Sequence, residues 1–144
     1  MNYLRYTGVF LGIAVLSALV VLALNTWADA QLGSSGQLLA PAMIAALLEG
    51  RAFVREEGRA PNPSETWNFV LLATVLAIAL NVTLSYAGSE LIPAASAQSI
   101  APVGTRAFWI LLGVHALVYF LSNRFFLGLG VRNEETRRNG AGTQ

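Results

Sequence analysis

Charged residues fall in clusters along this chain, and long uncharged stretches separate them. Four stretches, at residues 6–28, 30–48, 66–89 and 107–123, contain 23, 19, 24 and 17 uncharged residues. An α-helix needs about 20 mainly apolar residues to cross the roughly 30 Å hydrocarbon core of a bilayer. The pattern predicts an all-α integral membrane protein, a four-helix bundle with spans at about 6–28, 37–55, 65–87 and 107–127.

Three of these predicted spans have a feature that departs from a simple membrane-spanning helix. In the second stretch, Gly33–Gly36 is typical of a loop, so a span to residue 55 places Glu49 near the membrane interface. The fourth stretch is short, and Arg124 must extend its side chain towards the interface. A secretory signal peptide is the alternative for the first stretch, but its apolar run exceeds the 7–15 residues usual for such a region.

Arginine placement predicts the orientation of the bundle. Eight arginines lie at one end of the predicted bundle: Arg5, Arg51, Arg55, Arg59, Arg124, Arg132, Arg137 and Arg138. The other end is formed by the loops at about residues 28–36 and 88–106, and Arg106 is the only arginine there. Because basic residues concentrate in cytoplasmic loops, both termini are expected in the cytoplasm (N-in/C-in). One transmembrane domain, 1–131, would end at Gly128 and Gly130, followed by a mobile polar tail, 132–144.

Composition narrows the possible functions. Hydrophobic residues make up 55% of the chain and charged residues 12%, about half the share usual for a soluble domain. A net charge of +1 provides no basic field for nucleic acid. The chain has no cysteine and one histidine, so it lacks the ligands of an ordinary metal site. No nucleotide-binding or hydrolase motif occurs. We therefore expect a non-enzymatic protein without a metal or cofactor.

Small residues recur at four-residue spacing on the predicted helices. Span one carries Gly8 and Gly12, and span two carries Ala42, Ala46 and Gly50. Small side chains let helix backbones approach closely within a membrane. These faces therefore serve either packing inside the bundle or docking of a membrane-protein partner or a second copy.

Four polar residues within or beside the spans need partners. Glu49 lies near the negative end of its helix without a local cation, and Arg124 is the predicted partner. Asn81 and His115 lie at similar depths, so we expect a hydrogen bond between them. The alternative to these structural roles is a proton relay or a substrate contact.

Between spans two and three, the sequence predicts where one helix ends and the next begins. Gly58 is expected to end the preceding helix, and Asn62 to cap the next one, with Pro63 in the first turn and Glu65 three residues after the cap.

A resemblance to a protein family is carried by this same junction. The sequence EGRAFV at 49–54, followed by GRAPNPSE at 58–65, resembles the ABZJ-type family of small bacterial inner-membrane proteins. The resemblance implies a four-helix protein of the bacterial inner (cytoplasmic) membrane and brings no activity or substrate. Small size and short loops favour an accessory protein that binds a larger membrane complex or itself. The alternative is a small transporter or channel that uses the polar residues inside the spans.

Overall fold

Four α-helices make up nearly all of the structure, a computed structural model that describes residues 1–28, 35–91 and 105–141. They are α1 (Tyr3–Ala28), α2 (Ser35–Glu57), α3 (Pro63–Leu91) and α4 (Arg106–Ala141). These described residues include no strand. The predicted all-α class is confirmed. The predictions for the loops fall largely on 29–34 and 92–104, which lie outside the described residues.

Three of the four helices are long and apolar enough to cross a membrane. Within the described residues, these stretches are Tyr3–Val20, Pro63–Leu84 and Arg106–Gly140. In α2, Glu49, Arg51 and further charges occupy the second half, and no such stretch lies within its described residues. Of the four predicted spans, three correspond to helices whose length and apolarity are sufficient to cross a membrane.

The turn between α2 and α3 follows the sequence prediction. Gly58 has a φ of +72°, a conformation that glycine adopts without steric cost, and its N–H donates to the Val54 carbonyl at 3.0 Å. At the start of α3, the Glu65 N–H donates to Asn62 Oδ1, and the Asn62 N–H donates to Glu65 Oε2, both at 2.8 Å. This reciprocal cap satisfies two backbone donors that a helix start leaves free.

The helix α4 continues well past the point where the sequence predicted its end. Gly128 and Gly130 do not stop it, and its 36 residues run to Ala141, so the predicted end of the helix at these glycines is wrong and residues 132–141 are helical. At 1.5 Å per residue, α4 is about 54 Å long, much more than a bilayer core requires. Gly130 faces α2, where its lack of a side chain allows close contact, and this explains a glycine inside a helix.

The described core is concentrated near the end of the bundle that holds the N-terminus. Tyr6 and Phe10 of α1 pack with Phe69 of α3, and the Tyr6 and Phe69 rings meet edge to face at 5.6 Å. The helices α2 and α4 run in the same direction: Leu47 lies beside Gly130, and Val54 lies beside Arg138 further along. The N-terminus, the α2–α3 turn and the end of α4 therefore share one end of the bundle.

Candidate functional site

The buried carboxylate of Glu49 is bound by the first turn of α1. Its side chain is fully buried, and Arg5 Nε donates to Glu49 Oε2 at 2.7 Å. The N–H of Asn2, just before α1, donates to Glu49 Oε1 at 2.6 Å. Glu49 thus meets the positive end of the α1 dipole as well as a cation, which offsets its position near the negative end of α2. The predicted Glu49–Arg124 pair is wrong.

Arg5 also binds a second carboxylate on the same face of α2. Its guanidinium donates to both carboxylate oxygens of Glu56, with Nη2 at 3.2 Å from Oε2. The hydrogen bonds from Arg5 hold the pKa of the Glu56 carboxyl below its usual value of 4.5. Because Glu49 and Glu56 are two helical turns apart, one arginine clamps the N-terminus along the end of α2.

A second ionic contact fastens the extension of α4 to α2. The Glu134 side chain is only 4% exposed and accepts a hydrogen bond from Arg137 at 2.7 Å. Arg55 of α2 lies 3.6 Å from the same carboxylate oxygen. Arg138 Nη1 donates to the Val54 carbonyl at 3.2 Å, in the last turns of α2. These contacts explain why residues 132–141 remain helical and docked.

The small residues of α2 pack against other helices of the same chain. Ala42 and Ala46 are fully buried. A Cβ atom placed on Gly50 would overlap the Leu127 carbonyl oxygen and lie 3.1 Å from the Val131 backbone nitrogen. Gly130 meets α2 just as closely. Gly50 therefore lies where α2 crosses α4, and Ala42 and Ala46 are buried within the chain.

The two glycines of α1 have different surroundings. A Cβ atom placed on Gly8 or Gly12 would meet nothing within 4 Å. Both positions are exposed. This α1 glycine face (Gly8 and Gly12) is thus open to whatever surrounds the bundle.

Polar side chains also join α1, α3 and α4 within the core. The Tyr6 hydroxyl donates to Asn123 Oδ1 at 3.0 Å, and Asn123 Nδ2 donates to Thr74 Oγ1 at 3.3 Å. All three groups are buried. Asn123 and Tyr6 were missed by the sequence analysis, although an amide in the apolar stretch 107–123 was a usable signal.

The predicted hydrogen bond between Asn81 and His115 is wrong. Asn81 Nδ2 donates to the Tyr119 hydroxyl instead. His115 Nδ1 lies 2.7 Å from the Leu111 carbonyl oxygen, which only accepts, so this nitrogen carries the proton. The three polar residues line one cavity of about 10 Å³, roughly room for a single water.

Arg124, the partner predicted for Glu49, lies on a different surface. Its guanidinium lies over the ring of Trp67, 5.6 Å from the centroid. Trp67 also stacks on Phe120, with ring centroids 5.9 Å apart. The arrangement is an aromatic and cationic contact between α3 and α4, at the end of the bundle that holds the N-terminus.

The chemistry of these contacts is ion pairing and hydrogen bonding between helices. Among the described residues, no three histidine, aspartate or glutamate side chains lie close enough to hold a metal ion. Within the same ranges, the His115 ring bonds to a backbone carbonyl and not to a nucleophile. No family model, no curated protein and no solved structure matches this chain.

Proposed function

We propose that the chain is a non-enzymatic accessory protein of the bacterial inner membrane, with both termini in the cytoplasm. Three apolar helices support membrane insertion, and the excess of arginine at the end of the bundle that holds the N-terminus supports the orientation. In this proposal α2 makes the return crossing. Its charged Glu49 and Arg55 are compatible with that position because they pair with Arg5 and Glu134.

The observation that carries the accessory role is the open α1 glycine face. Of the three apolar stretches, Tyr3–Val20 is the least covered, with 11% of its residues buried against 33% in α3 and 17% in α4. Since a Cβ atom placed on Gly8 or Gly12 would meet nothing within 4 Å, the backbone of α1 is free to accept another helix. We propose that this face binds a larger membrane complex or a second copy. The resemblance to the ABZJ-type family agrees with the location and stays a prediction.

Co-purification from the native membrane in a mild detergent tests this role. The double variant Gly8→Leu/Gly12→Leu should keep the bundle intact, because both side chains enter open space, and should lose the partner or the dimer. Gly113→Leu is the matched control, since a Cβ atom placed on Gly113 of α4 would also meet nothing within 4 Å. If the double variant and the parent retain the same partners, the α1 face does not bind them.

A transporter or channel is the alternative. The cavity beside His115 has room for about one water, and the described polar groups around it are hydrogen-bonded. Both observations favour the accessory role. Solute flux into vesicles containing the purified protein, lost on His115→Ala, would favour transport instead.

A further inference from the structure

The arginines at the end of the bundle that holds the N-terminus divide into two groups by their partners. Carboxylates or a carbonyl engage Arg5, Arg55, Arg59, Arg137 and Arg138. Within the described residues, Arg51, Arg124 and Arg132 form no ion pair. Arg51 is half-buried, whereas Arg124 and Arg132 are exposed on α4. Two cations on one helix are therefore available to an external anion.

The guanidinium of Arg124 is held in position. Trp67 lies under it, and Phe120 supports the Trp67 ring. Arg124 Nη1 lies near Gly128, 3.6 Å from where a Cβ would stand, so the side chain passes along α4 towards Arg132. Arg124, Gly128 and Arg132 follow one another at four-residue spacing, which places them on one face of α4.

An apolar ridge on α4 leads directly to these arginines. Its four members are all exposed, at 67, 53, 58 and 57%: Ile110, Val114, Leu117 and Leu121. Their spacing places them on the same face as Arg124. From Ile110 to Leu121 the ridge is about 16 Å long, close to the thickness of one leaflet of a roughly 30 Å core.

We propose that this α4 surface (the ridge with Arg124 and Arg132) binds an anionic phospholipid. Arg124 and Arg132 bind the phosphate group, which guanidinium matches in shape and charge, and an acyl chain lies along the ridge. The proposal rests on the membrane placement given above. A soluble phosphate would use the arginines alone and would leave the ridge uncovered.

Lipid competition in bilayers tests the site. The parent, in vesicles of phosphatidylcholine with a small share of phosphatidylglycerol, should prefer spin-labelled phosphatidylglycerol at its surface. Arg132→Gln should weaken that preference about fivefold, because the lipid phosphate loses one of its two guanidinium partners, and Arg124→Gln/Arg132→Gln should weaken it further. Arg132 forms no described ion pair or hydrogen bond, so its variant should fold.

Arg137→Gln is the matched control, since it removes the same charge from the same helix while Arg55 still pairs with Glu134. An equal loss in this control would overturn the site in favour of general charge attraction. The site would also be overturned if inorganic phosphate raised the midpoint of thermal unfolding in detergent as much as phosphatidylglycerol does. The ridge would then contribute nothing to binding. A parent that fails to float with phosphatidylcholine vesicles would refute the membrane placement as well, whereas one that floats without lipid preference refutes the lipid site alone.

Discussion

Replacing Gly130 by alanine tests how closely α2 and α4 cross. The added Cβ would overlap the Leu47 carbonyl oxygen and lie 3.2 Å from the Arg51 backbone nitrogen. Both obstacles are backbone atoms, so no side chain can rotate away. The helices must separate by on the order of 1 Å, because non-bonded atoms pack best at about 3.5–4.0 Å.

Two opposing effects set the size of the change. Alanine favours a helix over glycine by about 1 kcal/mol. Overpacking in a close contact costs about 1–3 kcal/mol, and rigid obstacles place Gly130→Ala at the upper end. We therefore expect a net loss of about 1–2 kcal/mol and a fall in the midpoint of thermal unfolding of about 5 °C.

Gly113→Ala is the control on the same helix. A Cβ there meets nothing within 4 Å, so only the gain in helix propensity remains. Its unfolding midpoint in detergent should equal or exceed that of the parent. If Gly130→Ala behaves like Gly113→Ala, the helices α2 and α4 do not cross at backbone contact.

Three further predictions concern the polar contacts. Arg5→Gln should cost about 3 kcal/mol in unfolding free energy, and more than Glu49→Gln, because it leaves a buried carboxylate without its cation. Tyr6→Phe should cost about 1–3 kcal/mol, because Asn123 loses the donor to its buried oxygen. The third prediction concerns pH. Since the pKa of Glu56 is lowered in the folded protein, its contribution to stability is present above its ordinary pKa of 4.5 and lost as pH falls through the lower folded pKa.

Each of these predictions has a matched measurement. Equal unfolding midpoints for Arg5→Gln and Glu49→Gln would show that the buried carboxylate is not held by Arg5. Tyr3→Phe is the control for Tyr6→Phe, since the Tyr3 hydroxyl forms no described hydrogen bond, and equal losses would contradict the buried bond. Glu56→Gln should flatten the acidic limb of the pH profile, and an unchanged limb would contradict its pairing with Arg5.

Local features of the fold could be predicted from the sequence. The cap of α3 depends on the residue types and spacing of Asn62, Pro63 and Glu65. The turn at Gly58 likewise depends on neighbouring residues. The uncharged stretches also gave the helical class, because helix length and apolarity are properties of one segment.

Contacts between distant segments could not be predicted in this way. The sequence prediction paired Glu49 with Arg124, whereas the packing of α1 on α2 brings Arg5, 44 residues away, to the carboxylate. A glycine such as Gly130 is consistent with either a helix end or a close crossing of two helices. Its contact with Leu47 of α2, which is distant in sequence, shows that it serves a crossing. Leu127 and Glu134 are both buried and lie seven residues, or two helical turns, apart on one face of α4. This spacing could have predicted that the helix continues, but the polar composition of residues 132–144 pointed to a tail.

Accessibility of single cysteines in intact cells tests the membrane account most directly. The chain has no native cysteine, so one introduced thiol gives an unambiguous signal. With a membrane-impermeant maleimide, Ala60→Cys and Gly140→Cys should react only after the cells are opened, and Ser96→Cys should react in intact cells. Labelling of Ala60→Cys in intact cells, or recovery of the parent in the soluble fraction, would contradict an inserted bundle with both termini in the cytoplasm.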